Sequence, residues 1–156
     1  MSENIVIMGI GNWLRSDDGV GVHAAQALAQ DPPPGARVVD AGTDALSALA
    51  FLEDAAHVLL IDAVRSGSAP GTIRRFTEGD LSGPARASTA HTVSLLASRH
   101  LLPPDAAWPQ FLILGVEPAS LAYGMELSPA VAAALPQVTG LSREIVAAWR
   151  AENVHP

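Results

Sequence analysis

Three side chains from separate stretches of this chain could do chemistry together: Asp18 in a glycine-rich turn, Asp62 at the end of an apolar run, and His91 ahead of a helical pattern. Two carboxylates and one imidazole, with open positions left for water or substrate, suit zinc, nickel or another first-row divalent ion. Such an ion polarises a carbonyl or lowers the pKa of bound water, while a spare carboxylate takes a proton. No tight spacing motif ties the three together, so the elements that deliver them carry the argument.

The stretch Asn4 to Val22 organises the rest. Ile5 to Met8 form a short apolar run, which predicts a strand covered on both faces, as in a parallel sheet. Gly9 and Gly11 permit a sharp turn, Asn12 tolerates a left-handed conformation, and Ser16, Asp17 and Asp18 offer side-chain oxygens to the first N–H groups of a helix. A cap needs one acidic residue and this turn has two, which leaves a carboxylate over. A helical face follows from Val20 to Ala29 and is stopped by Pro32-Pro33-Pro34.

Arg37-Val38-Val39 predicts a second strand that delivers Asp40 to its carboxyl end, and Ala41-Gly42-Thr43-Asp44 predicts a turn capping a helix over 45–54. His57 to Ile61 is the strongest buried-strand signal, with Asp62 at its end. The β-α-β-α-β order implies right-handed crossovers and a parallel sheet, and ligands of such sheets bind beyond the carboxyl ends of the strands. Asp18, Asp40 and Asp62 all fall at that edge. An aspartate before Gly-Thr commonly shapes its own turn, the plainer reading of Asp40. Asp62 follows an apolar strand, where a carboxylate is costly to bury unless paired, hydrogen-bonded or ligating a cation.

Thr72 to Phe76 alternates polar with apolar, as an antiparallel edge strand does. Residues 78–90 carry little periodicity. A helix then begins near His91, with Val93, Leu95, Leu96 and Leu101 on it, and closes at Pro103-Pro104. Phe111 to Val116 predicts the last buried strand. Ser128-Pro129 opens an alanine-rich helix running to about Glu152, with a break or kink expected at Pro136 and Gly140. The class expected is three-layer α/β/α, a mainly parallel twisted sheet with one antiparallel edge strand. Four buried strands end near Met8, Ala41, Ala63 and Val116.

Composition narrows the function. A chain of 156 residues suits one domain over residues 1–156, burying roughly 70% of its unfolded surface. Aromatics are 4% and apolar residues 49%, so the core is aliphatic and suits helices on a sheet. With no cysteine, disulfides, thiolate ligands and a cysteine nucleophile are excluded. A net charge of −7 argues against broad binding to nucleic acid or an anionic membrane. No apolar run reaches the roughly 18 residues of a membrane span, and the start lacks the basic residues of a signal peptide, so a cytoplasmic protein is expected.

Gly9-Ile10-Gly11 could open a dinucleotide fingerprint. However, the third glycine would be due at Leu14, and Asp17-Asp18 would repel a pyrophosphate. Ser16 lies in no G-x-S-x-G elbow, which argues against a serine triad. His23, His57 and His100 read as packed or solvent-facing, and His155 as part of a frayed tail. Trp13 could line a substrate groove or cover a sheet edge.

Taken together, G-I-G-N-x-L-x-x-D-D-G-x-G from Gly9, D-A-G-T at Asp40–Thr43, I-D-A at Ile61–Ala63, a lone His91 before a helix and G-V-E-P at Gly115–Pro118 resemble the hydrogenase maturation endopeptidases. These trim the C-terminus of the large subunit of nickel-iron hydrogenases. The resemblance spans nearly the whole chain. It implies a metal pocket of Asp18, Asp62 and His91, with Asp18 and Asp62 catalytic and Gly11, Asn12, Asp17, Asp40, Gly42 and Thr43 shaping the turns. Where the family has a glutamate in the first turn, this chain has Asp17-Asp18, one methylene shorter. Asp18 matches the family's pattern better, and Asp17 is the alternative register.

The resemblance also implies hydrolysis of one peptide bond in a large-subunit precursor after nickel insertion. The nickel carried by that precursor is the recognition element, and another divalent metal can occupy the site in vitro. Which carboxylate is the base stays open. The alternative is a non-enzymatic nickel-binding or docking protein acting in hydrogenase assembly.

Overall fold

The computed structural model describes residues 4–81 and 90–153. Its strands are β1 (Ile5–Ile10), β2 (Ala36–Gly42), β3 (His57–Ala63), β4 (Ile73–Thr77) and β5 (Gln110–Val116). They make one sheet in the order β2-β1-β3-β5-β4. β1 runs parallel to β2 and β3, and β3 parallel to β5, whereas β4 pairs antiparallel with β5 at the edge. The expected mixed sheet and its antiparallel edge strand are both present, but only β1, β3 and β5 are buried: β2, expected as a fourth buried strand, lies at the opposite edge and has no fully buried residue.

Successive residues of the central strands point to opposite faces, and the two cores follow that alternation. Ile5, Ile7, Leu59 and Ile61 pack with α1 (Val20–Ala29) and α5 (Pro129–Asn153). Val6, Met8, Val58 and Leu60 pack on the other face with residues of α2 (Ala45–Ala50) and α4 (Ala90–Ala97). All but Ile5 of these eight are wholly inaccessible, which explains why β1 and β3 read as continuous apolar runs rather than alternating ones. A short α3 (Glu78–Leu81) follows β4. Residues 82–89, and the tail containing His155, lie outside the described residues.

Three local expectations change. Residues 16–19 form a turn of 3-10 helix ahead of α1, and neither helix start is capped by a side chain. The oxygens of Ser16, Asp17 and Asp18 are drawn into longer-range bonds instead. Second, α2 stops at Ala50 rather than Asp54, because the chain turns to bury Leu52 and Ala55 and Asp54 takes a left-handed φ of 64°. Asp44 does cap α2, accepting from the N–H groups of Leu46 and Ser47. Third, of the break or kink expected at Pro136 and Gly140, the break is absent: α5 is one continuous helix. A proline inside a helix forfeits one backbone bond, at a cost of about 3 kcal/mol. Here the buried seam of Val131, Val138, Ile145, Val146 and Trp149 holds the helix together.

Candidate active site

The first turn is built by close backbone approach. Gly11 has φ 137°, and a Cβ there would collide with the carbonyl oxygen of Asp18, so the strand can double back only at a glycine. Its N–H bonds Gly42 O at 2.8 Å, tying the end of β1 to the end of β2. Asn12 Oδ1 accepts from Leu14 N at 3.0 Å, and Ser16 sits at φ 51°. Such a conformation persists in a non-glycine residue when its surroundings over-determine it. Here they do: Ser16 N bonds Gly124 O at 2.7 Å, Gly124 N bonds Leu14 O at 2.9 Å, and Ser16 Oγ donates to Ala122 O at 2.8 Å.

The two adjacent aspartates are divided between two tasks. Asp17 is fully buried and accepts from Ala119 N (2.8 Å), Ser120 N (3.1 Å), Ser128 N (2.7 Å) and Ser128 Oγ (2.8 Å). Burial pushes its carboxyl up, but the Ser128, Ala119 and Ser120 bonds outweigh this and hold it below the ordinary value. It clamps the loop before α5 to the first turn. Asp18 faces the other way: its Oδ2 accepts from Asn12 N at 2.9 Å and lies 2.9 Å from His91 Nε2.

Burial likewise raises the Asp18 carboxyl, and the His91 and Asn12 bonds, with the charges of His91 and Arg15, bring it below the ordinary value. His91 is raised chiefly by its bond to Asp18, against burial, and further by the negative charges of Asp62 and Asp18. The resting pair is therefore a carboxylate facing an imidazolium in mildly acidic solution. Asp62 is wholly buried; its Oδ1 accepts from Ala63 N at 2.8 Å and its Oδ2 from Thr92 Oγ1 at 2.9 Å. Thr92 stands next to His91 on α4, so one helix start positions both the imidazole and the group that orients Asp62.

Asp18 and His91 wall a cavity of about 300 Å³, with Asn12, Arg15, Arg65 and Pro118 around it. It opens beyond the carboxyl ends of β1, β3 and β5, where open parallel sheets bind ligands. Two larger hollows flank Trp108 and contain none of the three candidate residues. Among the described residues, no three histidine, aspartate or glutamate side chains form a ready metal cluster. Asp18 Oδ2 and His91 Nε2 are nevertheless spaced like neighbouring ligands on one ion, which at bond lengths of about 2.1 Å lie roughly 3 Å apart in octahedral geometry. A metal would have to displace the proton between them.

Asp40 behaves as a turn residue, its Oδ1 accepting from Gly42 N at 3.1 Å. With Gly11, Asn12, Gly42, Thr43 and Trp13 it lines a second hollow of about 310 Å³, which shares Asn12 with the first. Glu117 is buried and accepts from the N–H groups of Ser66 and Ser68, fixing the loop that carries Arg65. His57 stacks on Trp149 and His23 lies tilted beside Trp13, so both are packing residues.

The hydrogenase maturation protease family model matches residues 22–144, most of the chain. The chain belongs to this family. Membership places it among the peptidases. It is 32% identical over 138 residues to the hydrogenase expression/formation protein HupD of Rhodobacter capsulatus, covering 83% of this chain and 65% of that protein. It is 31% identical over 151 residues to the hydrogenase 2 maturation protease of Escherichia coli K12, covering 90% and 91%. Among solved structures, the E. coli hydrogenase maturating endopeptidase HybD superposes with a TM-score of 0.78 at 26% identity, over 95% of this chain and 93% of that one. The Thermococcus kodakarensis [NiFe] hydrogenase maturation protease HybD superposes with a TM-score of 0.79 at 25% identity, over 90% and 97%. Among the described residues, no helix is long and apolar enough to cross a membrane.

Thr92, Ser128, Arg15 and Arg65 were not legible as site residues in the sequence. Only Thr92 had a signal, as a small hydroxyl beside the candidate histidine. The others depend on contacts across 51 to 111 residues of chain.

Proposed function

We propose that this chain removes the C-terminal extension of a nickel-iron hydrogenase large-subunit precursor in the cytoplasm, once nickel has been inserted. The reading is carried by the Asp18–His91 pair walling a small cavity at the sheet's carboxyl edge. In this reading Asp18 and His91 meet the precursor's nickel directly, and Asp62, buried and outside the cavity lining, would join them only by giving up its bond from Thr92. Only three protein donors and no thiolate make a weaker resident site than a closed four-ligand one, and the precursor supplies the remaining donors. Binding then tests nickel insertion before the cut. Hydrolysis adds water to one peptide carbonyl and returns a proton to the leaving nitrogen. In this reading whichever of Asp18 and Asp62 is not engaged by nickel takes the proton of that water, and Thr92 Oγ1 holds Asp62 oriented.

Chelator-stripped protein is to be offered precursor with and without nickel, and the product scored by mass. Cleavage only of the nickel-loaded precursor is expected. Equal cleavage without nickel would remove the metal from the mechanism, and nickel-dependent binding without any cut would favour a non-enzymatic docking protein.

A further inference from the structure

Beside the cavity mouth stands a group of large side chains that the fold leaves uncovered. Tyr123, the chain's single tyrosine, is 88% exposed, Met125 55% and Leu14 51%. They are contiguous, because Arg15 and Gly124 form a parallel bridge that sets Leu14 beside Tyr123 and brings residues 14–16 against 123–125. They are also rigidly mounted. The backbone bonds between Ser16, Leu14 and Gly124 hold one edge, and the four bonds to Asp17 hold the loop behind. Exposed apolar residues on a stiff support cost little entropy to engage and mark interaction surfaces.

Arg15 joins this surface to the chemistry. Its side chain lines the cavity, its Nε donates to Leu121 O at 3.2 Å, and its guanidinium lies 5.6 Å from the Tyr123 ring centroid. Arg65 stands at the same mouth, and among the described residues neither arginine forms an ion pair. In a chain of net charge −7, two such cations beside an apolar shelf select for a partner with carboxylates next to exposed apolar side chains.

On the proposed processing role, the cavity's size limits how much of the substrate it can hold. At about 300 Å³ it is at the small end of ligand sites and takes only the reacting centre of a polypeptide. Discrimination of a protein substrate must come from contacts outside it, where remote binding energy is used to position the scissile bond.

Resting on the proposed processing role, we propose that Leu14, Tyr123 and Met125, with Arg15 and Arg65, form a docking shelf for the hydrogenase precursor's protein body, separate from the groups that cut. Tyrosine and arginine at the centre of such a patch carry a disproportionate share of binding.

The test compares parent protein with the double variant Tyr123→Ala/Met125→Ala, and separately with Arg65→Gln. Leu101→Ala, also exposed and not among the residues lining the cavity, is the control. Binding of nickel-loaded precursor is measured by calorimetry and cleavage by product mass, each over a range of precursor concentrations. The double variant should bind about tenfold or more weakly, a loss of roughly 1.4 kcal/mol, with KM raised to match, kcat within about twofold, and the control unchanged. Unchanged precursor affinity in the double variant, or a fall in kcat alone, overturns the shelf, as does a parent that does not bind precursor. A parent that binds but never cuts overturns the processing role while the affinities still decide the shelf.

Discussion

At the residue scale, division of labour between neighbouring aspartates is the central feature. Asp17 is consumed by four donors, whereas Asp18 is turned to His91. Asp18→Asn and Asp62→Asn should each lower precursor processing by at least about a hundredfold, the scale of a lost acid–base group, with little change in thermal midpoint for Asp18→Asn. Normal processing by either variant would strip that residue of its role. The pair also predicts a pH signature. His91 is raised, so its contribution is fully present below its unfolded value of about 6.5 and is lost as pH rises through the folded value. Asp18 is lowered, so its contribution is present above about 3.9 and is lost as pH falls through its folded value. The stability gap between parent and His91→Ala, of order 1 kcal/mol, should therefore be widest near pH 5–6 and shrink on both sides. Urea unfolding across that range reads it, and a gap independent of pH would mean the pair is not charged.

At the element scale, the loop before α5 is tied to the first turn mainly through one buried carboxylate. Asp17→Ala would strand the N–H groups of Ala119, Ser120 and Ser128, and a buried donor without an acceptor costs about 1–3 kcal/mol. A loss of about 3 kcal/mol or more in chemical denaturation is expected, with processing falling because the turn that aims Asp18 loosens. A loss below about 1 kcal/mol would show that water replaces the carboxylate. In α5, Gly140 is exposed and a Cβ there meets nothing within 4 Å. Gly140→Ala should stabilise the protein by about 0.5–1 kcal/mol by restricting the unfolded chain. A destabilised variant would reveal a helix under strain at that point.

At the scale of the whole molecule, β3 is the member both cores share. Leu60 packs on the α2/α4 side and Ile61 on the α1/α5 side, yet they are consecutive residues of one strand. Replacing either by alanine should cost about 3 kcal/mol, which for a chain of this size is roughly 6–12 °C in the melting midpoint. If residues 1–156 fold as one domain, calorimetry should show a single transition displaced by both variants. Two transitions, each sensitive to one variant, would mean that the layers fold separately.

The sequence by itself determined where the strands lie, that they run mainly parallel and where their carboxyl edge falls, because burial on both faces leaves continuous apolar runs in β1, β3 and β5 and the β-α-β order implies parallel crossovers, whereas the spatial order of the strands and the exposure of β2 at an edge came only from the structure. It also marked Asp18, Asp62 and His91, since a carboxylate at the end of an apolar strand and a histidine at a helix entry stand out against an aliphatic chain. Only the tertiary structure showed that Asp17 is bonded to the loop before α5 while Asp18 faces His91, because both are the same residue type in the same turn and differ solely in the partners they meet. It likewise decided that α5 continues through Pro136, where buried side chains outweigh a local preference the sequence states clearly. Thr92, Arg15 and the exposed shelf at Tyr123 became visible only once residues far apart in the chain were brought within hydrogen-bonding distance. Local propensity carries no record of such contacts, since their side-chain bonds reach partners up to 106 positions away.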